Sequence, residues 1–284
     1  MAATTETAPP AFEEARFRCC DTAWSIGVAA PDAKARLTAA RHEALRLESV
    51  LNAFDPRSAV SLLNRTGEVR DPTVAAVVRR ALGFRQRTGG AFDIAQGRLE
   101  HHLKAYIRGQ ASEFAPRLDG NRIEADGDVV RATAPVDLNG IAKGWMADRV
   151  WGTLTGSGAV AGFVDAGGDI SHPQGRVAID TPGGGTVAVL DTVWNVATSG
   201  TSNRRRGTVS HLYDPRTGHA GASQQQVTVL SAADACEADV LATVLCVLPP
   251  EQALGLASAW GGVEALFIRN GEVWWTGGFE SHVA

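Results

Sequence analysis

Apolar residues near the start of the chain recur at helical spacing. Leu37, Ala40, Ala44, Leu47, Leu51 and Phe54 fall at alternating steps of three and four. They form one stripe of a helix that Asp32 would cap and that Asp55 and Pro56 break. Such a stripe marks core packing. Ser58 is the candidate cap of a short turn through Leu63, and Thr73 of a helix carrying Val74, Val77, Val78, Ala81 and Leu82. Ahead of these, the small and apolar residues of 17–30 predict a strand, while 1–14, rich in Thr, Pro and Glu, reads as disordered.

Period-two or short apolar runs predict further strands over 132–136, 161–165, 177–179, 186–190 and 227–230, and helical periodicity predicts 141–154, 234–248 and 251–259. Asp126 with Gly127, and Asn270 with Gly271, sit between apolar runs as hairpin turns, so at least part of the sheet is antiparallel. The class expected is α+β with a mixed or antiparallel core. No internal repeat or Pro-, Ser- or Gly-rich linker divides the chain, which makes 15–284 a single domain.

Composition narrows the function. A chain of 284 residues that is 44% hydrophobic can bury a full core. Its longest apolar run, around 240–248, is far short of the roughly 20 residues a membrane helix needs. A formal net charge of -4 offers no basic footprint for nucleic acid. The N-terminal residues lack a basic end followed by an apolar stretch, and Cys19, Cys20, Cys236 and Cys246 form no CxxC pair. Reduced thiols in a cytoplasmic protein are therefore expected.

Four polar or glycine-marked strings carry the chemistry: DLNGIAKG (137–144), TSG (198–200), HLYDPRTG (211–218) and ADVLAT (238–243). In ADVLAT, Asp239 and Thr243 are four apart on a helix, so carboxylate and hydroxyl share a face where both can meet one hard cation such as magnesium. DLNGIAKG opens a helix, where unpaired N–H groups suit a phosphate. Gly140 and Gly144 allow close backbone approach, Lys143 adds positive charge, and Asp137 can accept from a base or a ribose hydroxyl. His211 can act as a general base near neutral pH. No GxSxG elbow surrounds Ser199, and neither a GxxxxGK[ST] loop nor an HExxH pair occurs. The set reads as a nucleotide-diphosphate site.

With LNAFDPRSAVSLLN (51–64), TGGAFD (88–93) and FVDAGGDI (163–170), these strings stand in one order over most of the chain, and the chain resembles the FAD:protein FMN transferase family, the ApbE-type flavin transferases. The resemblance implies an α+β fold of two closely packed lobes around a cleft. It also implies a magnesium-dependent enzyme that moves the FMN half of FAD onto a threonine hydroxyl of a target flavoprotein and releases AMP. By matching position, Asp239 and Thr243 would hold the metal with the Gly140 carbonyl. Ala91, Phe92, Asp93, Asp137 and Lys143 would contact FAD, with Ala53, Leu212 and Tyr213 near the flavin and His211 as the base. Members usually carry a glycine where Asn139 stands. The rival readings are an FAD pyrophosphatase, with water as nucleophile, and a non-catalytic FAD-binding accessory protein.

Overall fold

The computed structural model describes residues 11–115, 117–156, 161–201, 205–207 and 209–284. Along the chain, β1 (Phe12–Cys19) and β2 (Thr22–Ala29) precede α1 (Ala33–Leu51), α2 (Ala59–Thr66), β3 (Glu68–Arg70), α3 (Pro72–Arg87) and α4 (Gly97–Ile107). Next come β4 (Ile123–Asp126), β5 (Val129–Ala132), α5 (Ala142–Thr155), β6 (Ala161–Asp165), β7 (Ile170–Ser171), β8 (Arg176–Asp180) and β9 (Thr186–Asp191). The last part holds β10 (Asn195–Gly200), β11 (Arg205–Arg206), β12 (Val209–Ser210), β13 (Gln226–Ser231), α6 (Ala235–Val247), α7 (Pro250–Ala259), β14 (Val263–Arg269) and β15 (Glu272–Trp275).

An eight-stranded sheet in the order β1-β2-β6-β7-β10-β13-β14-β15 organises the α+β fold, and every pairing in it is antiparallel. Helices α1, α5, α6 and α7 lie side by side over one face in the same order as the strands beneath them. The opposite face is closed by Ile179 of β8, Leu190 of β9 and Phe279, which pack on Val196, Leu230, Leu266 and Ile268. Alternation along β13 therefore serves two cores: Val227 and Val229 point to the helices, Leu230 to the β8–β9 hairpin, and all six residues are buried. A smaller sheet, β3-β5-β4, packs with α2 and α3 at the α1 side.

Local chemistry explains most boundaries. Ser58 caps α2 by accepting from the Ser61 N–H at 2.9 Å. For α3 the cap is Asp71, not Thr73: its carboxylate accepts from the N–H groups of Thr73 and Val74, and Pro72 occupies the first helical position, where no N–H is needed. The expected strand over 17–30 is two strands, because Cys20 and Asp21 take left-handed backbone (φ 53° and 57°) and turn the chain back on itself. That pairing places residues 12–14 in β1, against the expectation of disorder to residue 14, while 1–10 lie outside the described residues.

The strand predicted over 132–136 ends at Ala132. The β4–β5 turn is made by Gly127 and Asp128, one position later than expected, with Gly127 at φ 52° in the first central position. Asn270 and Gly271 form the β14–β15 turn as read from sequence. Among the described residues, no helix is long and apolar enough to cross a membrane.

Candidate active site

The site begins where α5 and α6 cross. Neither helix could approach so closely with a side chain at Gly144, since a Cβ there would lie 2.4 Å from the Ala235 carbonyl oxygen and 2.7 Å from Asp239 Cβ. Close approach lets the Gly144 N–H donate to Asp239 Oδ2 at 3.0 Å. This bond uses one of the N–H groups that a helix start leaves unpaired. Just before α5, Gly140 sits at φ 75°, and a Cβ on it would come within 3.0 Å of Thr243 Oγ1. From the other side, Ser199 Oγ on β10 lies 3.2 Å from the same hydroxyl.

Gly140, Asp239 and Thr243 thus line one cavity. Val240, Leu241, Val244 and Leu245 of α6 are fully buried around it, and burial of each contributes about 1.5–3 kcal/mol to holding the helix in place.

A second set of charges lies beside this point. Lys104 Nζ, on α4, bridges Asp137 Oδ2 at 2.8 Å and Glu100 Oε1 at 3.2 Å. The His101 ring stands 3.4 Å from Asp137. Asn139 ties the loop together: its N–H donates to Asp137 Oδ1 at 2.8 Å, and its amide donates to Glu100 Oε1 at 2.7 Å. Asn139 is thereby a structural link between this loop and α4. Burial pushes Glu100 up to about 7, against the pull of Lys104. Burial works the same way on Asp137, but the Lys104 charge, the nearby His101 ring and the bonds from Lys104 and Asn139 outweigh it and bring the carboxyl down to about 2.

These shifts act on stability in opposite windows. Between 4.5 and about 7 the folded chain holds a Glu100 proton that the unfolded chain has released, so stability falls as pH rises through that range. Below 3.8 the loss runs the other way, as Asp137 is protonated toward about 2. Glu100→Gln removes the first dependence. From about pH 5 to about pH 7.5 the wild-type melting temperature is expected to fall relative to the variant's, and parallel curves would contradict this.

Lys143, in the first turn of α5, pairs with buried Asp169 near the end of the FVDAGGDI string. Burial, then the charge of Asp239, raises Asp169 to about 7, with Lys143 opposing. Two cavities adjoin here. One of about 290 Å³ is lined by Ala91, Phe92, Asp93, Asp137, Gly140, Lys143, His211, Leu212, Tyr213, Asp239 and Thr243. Its neighbour of about 400 Å³ is lined by Ala53, Phe54, Lys104 and Arg108 and shares Asp137, Asn139, Lys143 and His211 with the first. All the candidate residues face this double cleft, with Ala53 in the second part only. The donors grouped at α6 are all hard oxygens beside excess negative charge, which fits a magnesium ion.

The profile of the ApbE family matches residues 20–267. The chain belongs to the ApbE family. Among its relatives is the FAD:protein FMN transferase of Treponema pallidum, 29% identical over 270 residues that cover 78% of this chain and 73% of the relative. The enzyme of the same name from Salmonella typhimurium is 25% identical over 308 residues, covering 94% and 87%. The fold matches the Thermotoga maritima ApbE protein with a TM-score of 0.82 at 22% identity, over 96% of this chain and 100% of that one. The apo flavinyl transferase ApbE of Pseudomonas stutzeri gives 0.82 at 23% identity, over 98% of both chains. This ApbE-family chain is accordingly a transferase, and the likeness read from the ordered strings holds.

Sequence reading passed over α4 and the partners it brings, Glu100, His101 and Lys104. One signal was there: Glu100 and Lys104 stand four apart, the spacing of a helical ion pair. What gives them a role is Asp137, remote in sequence.

Proposed function

We propose that the protein is an FAD:protein FMN transferase acting on a threonine hydroxyl of a target flavoprotein, with AMP as the second product. The observation that carries this reading is the convergence of residues from five separate strings on one double cleft, sized and charged for an extended dinucleotide. Asp239, Thr243 and the Gly140 carbonyl would hold magnesium, which when bound would offset negative charge on the pyrophosphate oxygens.

The chain's own residues do the rest. Lys143 adds a positive charge at the α5 start, where helix N–H groups already favour a phosphate. Asp137, kept ionised by Lys104, accepts from a base or ribose hydroxyl. His211 takes the proton of the incoming threonine as its oxygen bonds to the flavin-side phosphorus. The bond from that phosphorus to the oxygen of AMP breaks, and AMP leaves with the electron pair. The buried crossing of α5 and α6 keeps Lys143, Asp239 and Thr243 on rigid elements, while Asp137 and His211 sit on the loops before α5 and after β12. The cysteines are free among the described residues, which supports a reducing, cytoplasmic setting for the reaction.

Incubating the protein with FAD, magnesium and a threonine-bearing acceptor, then weighing the acceptor and quantifying AMP, tests the reading. One FMN per acceptor and one AMP per FMN is the expected result. Free FMN with AMP and an unchanged acceptor would make the protein a pyrophosphatase, and retained FAD with no AMP would make it a carrier.

A further inference from the structure

A second group of metal-type ligands lies away from α6, at the turn between β1 and β2. Neighbouring residues in a strand point to opposite faces, so Cys19 and Cys20 would ordinarily diverge. The left-handed backbone of Cys20 undoes that alternation and brings the two Sγ atoms to 3.8 Å. Glu48 of α1 reaches the same turn, accepting from the Cys20 N–H through Oε1 at 2.8 Å. The ligand atoms of Cys19, Cys20 and Glu48 all lie within 4.8 Å of one another, and among the described residues no other set of three or more His, Cys, Asp or Glu does so. Met146 Sδ of α5 completes the cluster, 3.8 Å from Cys20 Sγ.

We propose that Cys19, Cys20 and Glu48 form a binding site for a thiophilic divalent cation of the zinc type, with Met146 packed against it. The spacing fits. Around a tetrahedral zinc with Zn–S bonds of about 2.3 Å, two sulfurs lie about 3.8 Å apart. Two thiolates and a carboxylate carry three negative charges, which suits a divalent ion better than a monovalent one, and soft sulfur separates this site from the all-oxygen site at α6. Binding exchanges the two thiol protons, released to solvent, for two metal–sulfur bonds. Access is through the second cavity, which Cys20, Glu48 and Met146 line together with Lys143. Cys19 forms the buried side and Cys20 the half-exposed side. The site stands whether or not the transferase reading does.

The test uses the reduced, metal-free full chain with excess magnesium to occupy the hard-oxygen site. Zinc titration by calorimetry should show one equivalent bound, and cadmium should produce a thiolate-to-metal absorption band. Cys20→Ser should diminish the band and weaken zinc by at least about 10-fold, the lower end of what losing even an outer partner costs. Glu48→Gln should weaken zinc while keeping the band. Alkylation of the unaltered protein supplies a measurement independent of folding in any variant: zinc should shield Cys19 and Cys20 and leave Cys236 and Cys246 unaffected. Absence of the band, its undiminished strength in Cys20→Ser, its dependence on Cys236 or Cys246, or equal alkylation of Cys19 and Cys20 with and without zinc would each overturn the proposal.

Discussion

Asp239→Asn is expected to lower FMN transfer on the order of 10³-fold or more while leaving the melting temperature close to that of the parent. The carboxylate has two duties that this substitution separates. As an acceptor, it satisfies the Gly144 N–H inside the crossing of α5 and α6. The amide oxygen of asparagine can still do this, so the cost of about 1–3 kcal/mol for an orphaned buried donor is avoided. As a charge, in the proposed function it would be the anionic metal donor beside Thr243 and Gly140, and removing it would forfeit metal-based stabilisation worth several kcal/mol, each 1.36 kcal/mol being tenfold in rate.

Its removal also relieves Asp169, whose proton the Asp239 charge helps to hold, so stability has reason to be kept. Asp239→Ala should lose the same activity and stability as well. The measurements are AMP release and mass gain on the acceptor, beside a thermal melt. An asparagine variant within about tenfold of the parent rate would remove the metal role given to this residue.

Gly144→Val should be the most damaging change to the fold near the site. A Cβ at this position meets the Ala235 carbonyl oxygen at 2.4 Å and Asp239 Cβ at 2.7 Å, and both are held by helix α6, so neither can swing away like the end of a flexible side chain. Relief requires the helices to part, and Val240, Leu241 and Val244 then lose contact with α5 and the sheet. Overpacking in cores costs typically about 1–3 kcal/mol and occasionally more, and a backbone obstacle belongs at the upper end. At about 2–4 °C per kcal/mol for a chain of this size, the melting temperature should drop by roughly 6–12 °C. Activity should fall with it, because Asp239 rides on the displaced helix. A valine variant that melts within about 2 °C of the parent would show that the crossing is looser than described.

Much of the architecture could be read from local pattern. The stripe from Leu37 to Leu51 became the buried face of α1, whereas Phe54, read as its last position, lies beyond the end of the helix and is exposed. The strand read over 161–165 has the bounds of β6, and the turn at Asn270 and Gly271 is where its left-handed preference puts it. The pairing of Asp239 and Thr243 was also legible, because they lie one helical turn apart on α6 and need nothing distant to share a face. Other parts were hidden for identifiable reasons. TSG, three small or polar residues, carries no strand signal of its own, yet it ends β10. Its Thr198 pairs with Thr228 Oγ1 at 2.9 Å and its Ser199 with Thr243, partners 30 and 44 residues away. The turn at Cys20 and Asp21 was missed because neither residue usually takes left-handed backbone as readily as glycine or asparagine.

By itself, the chain determined whatever depends on neighbours within a turn or two: helical stripes, strand alternation, the Ser58 cap, and the acid and alcohol placed together on α6. Only the tertiary structure decided which of those groups are charged and what they meet. Glu100, Lys104 and Asp137 share one proton balance because α4 and the loop before α5 are folded against each other, and Cys19 with Cys20 gains a carboxylate because α1 lies under their turn. The physical reason is one of range. Hydrogen-bonding preference and side-chain period act over a few residues, whereas desolvation and Coulomb coupling depend on separation in space, which chain order does not reveal.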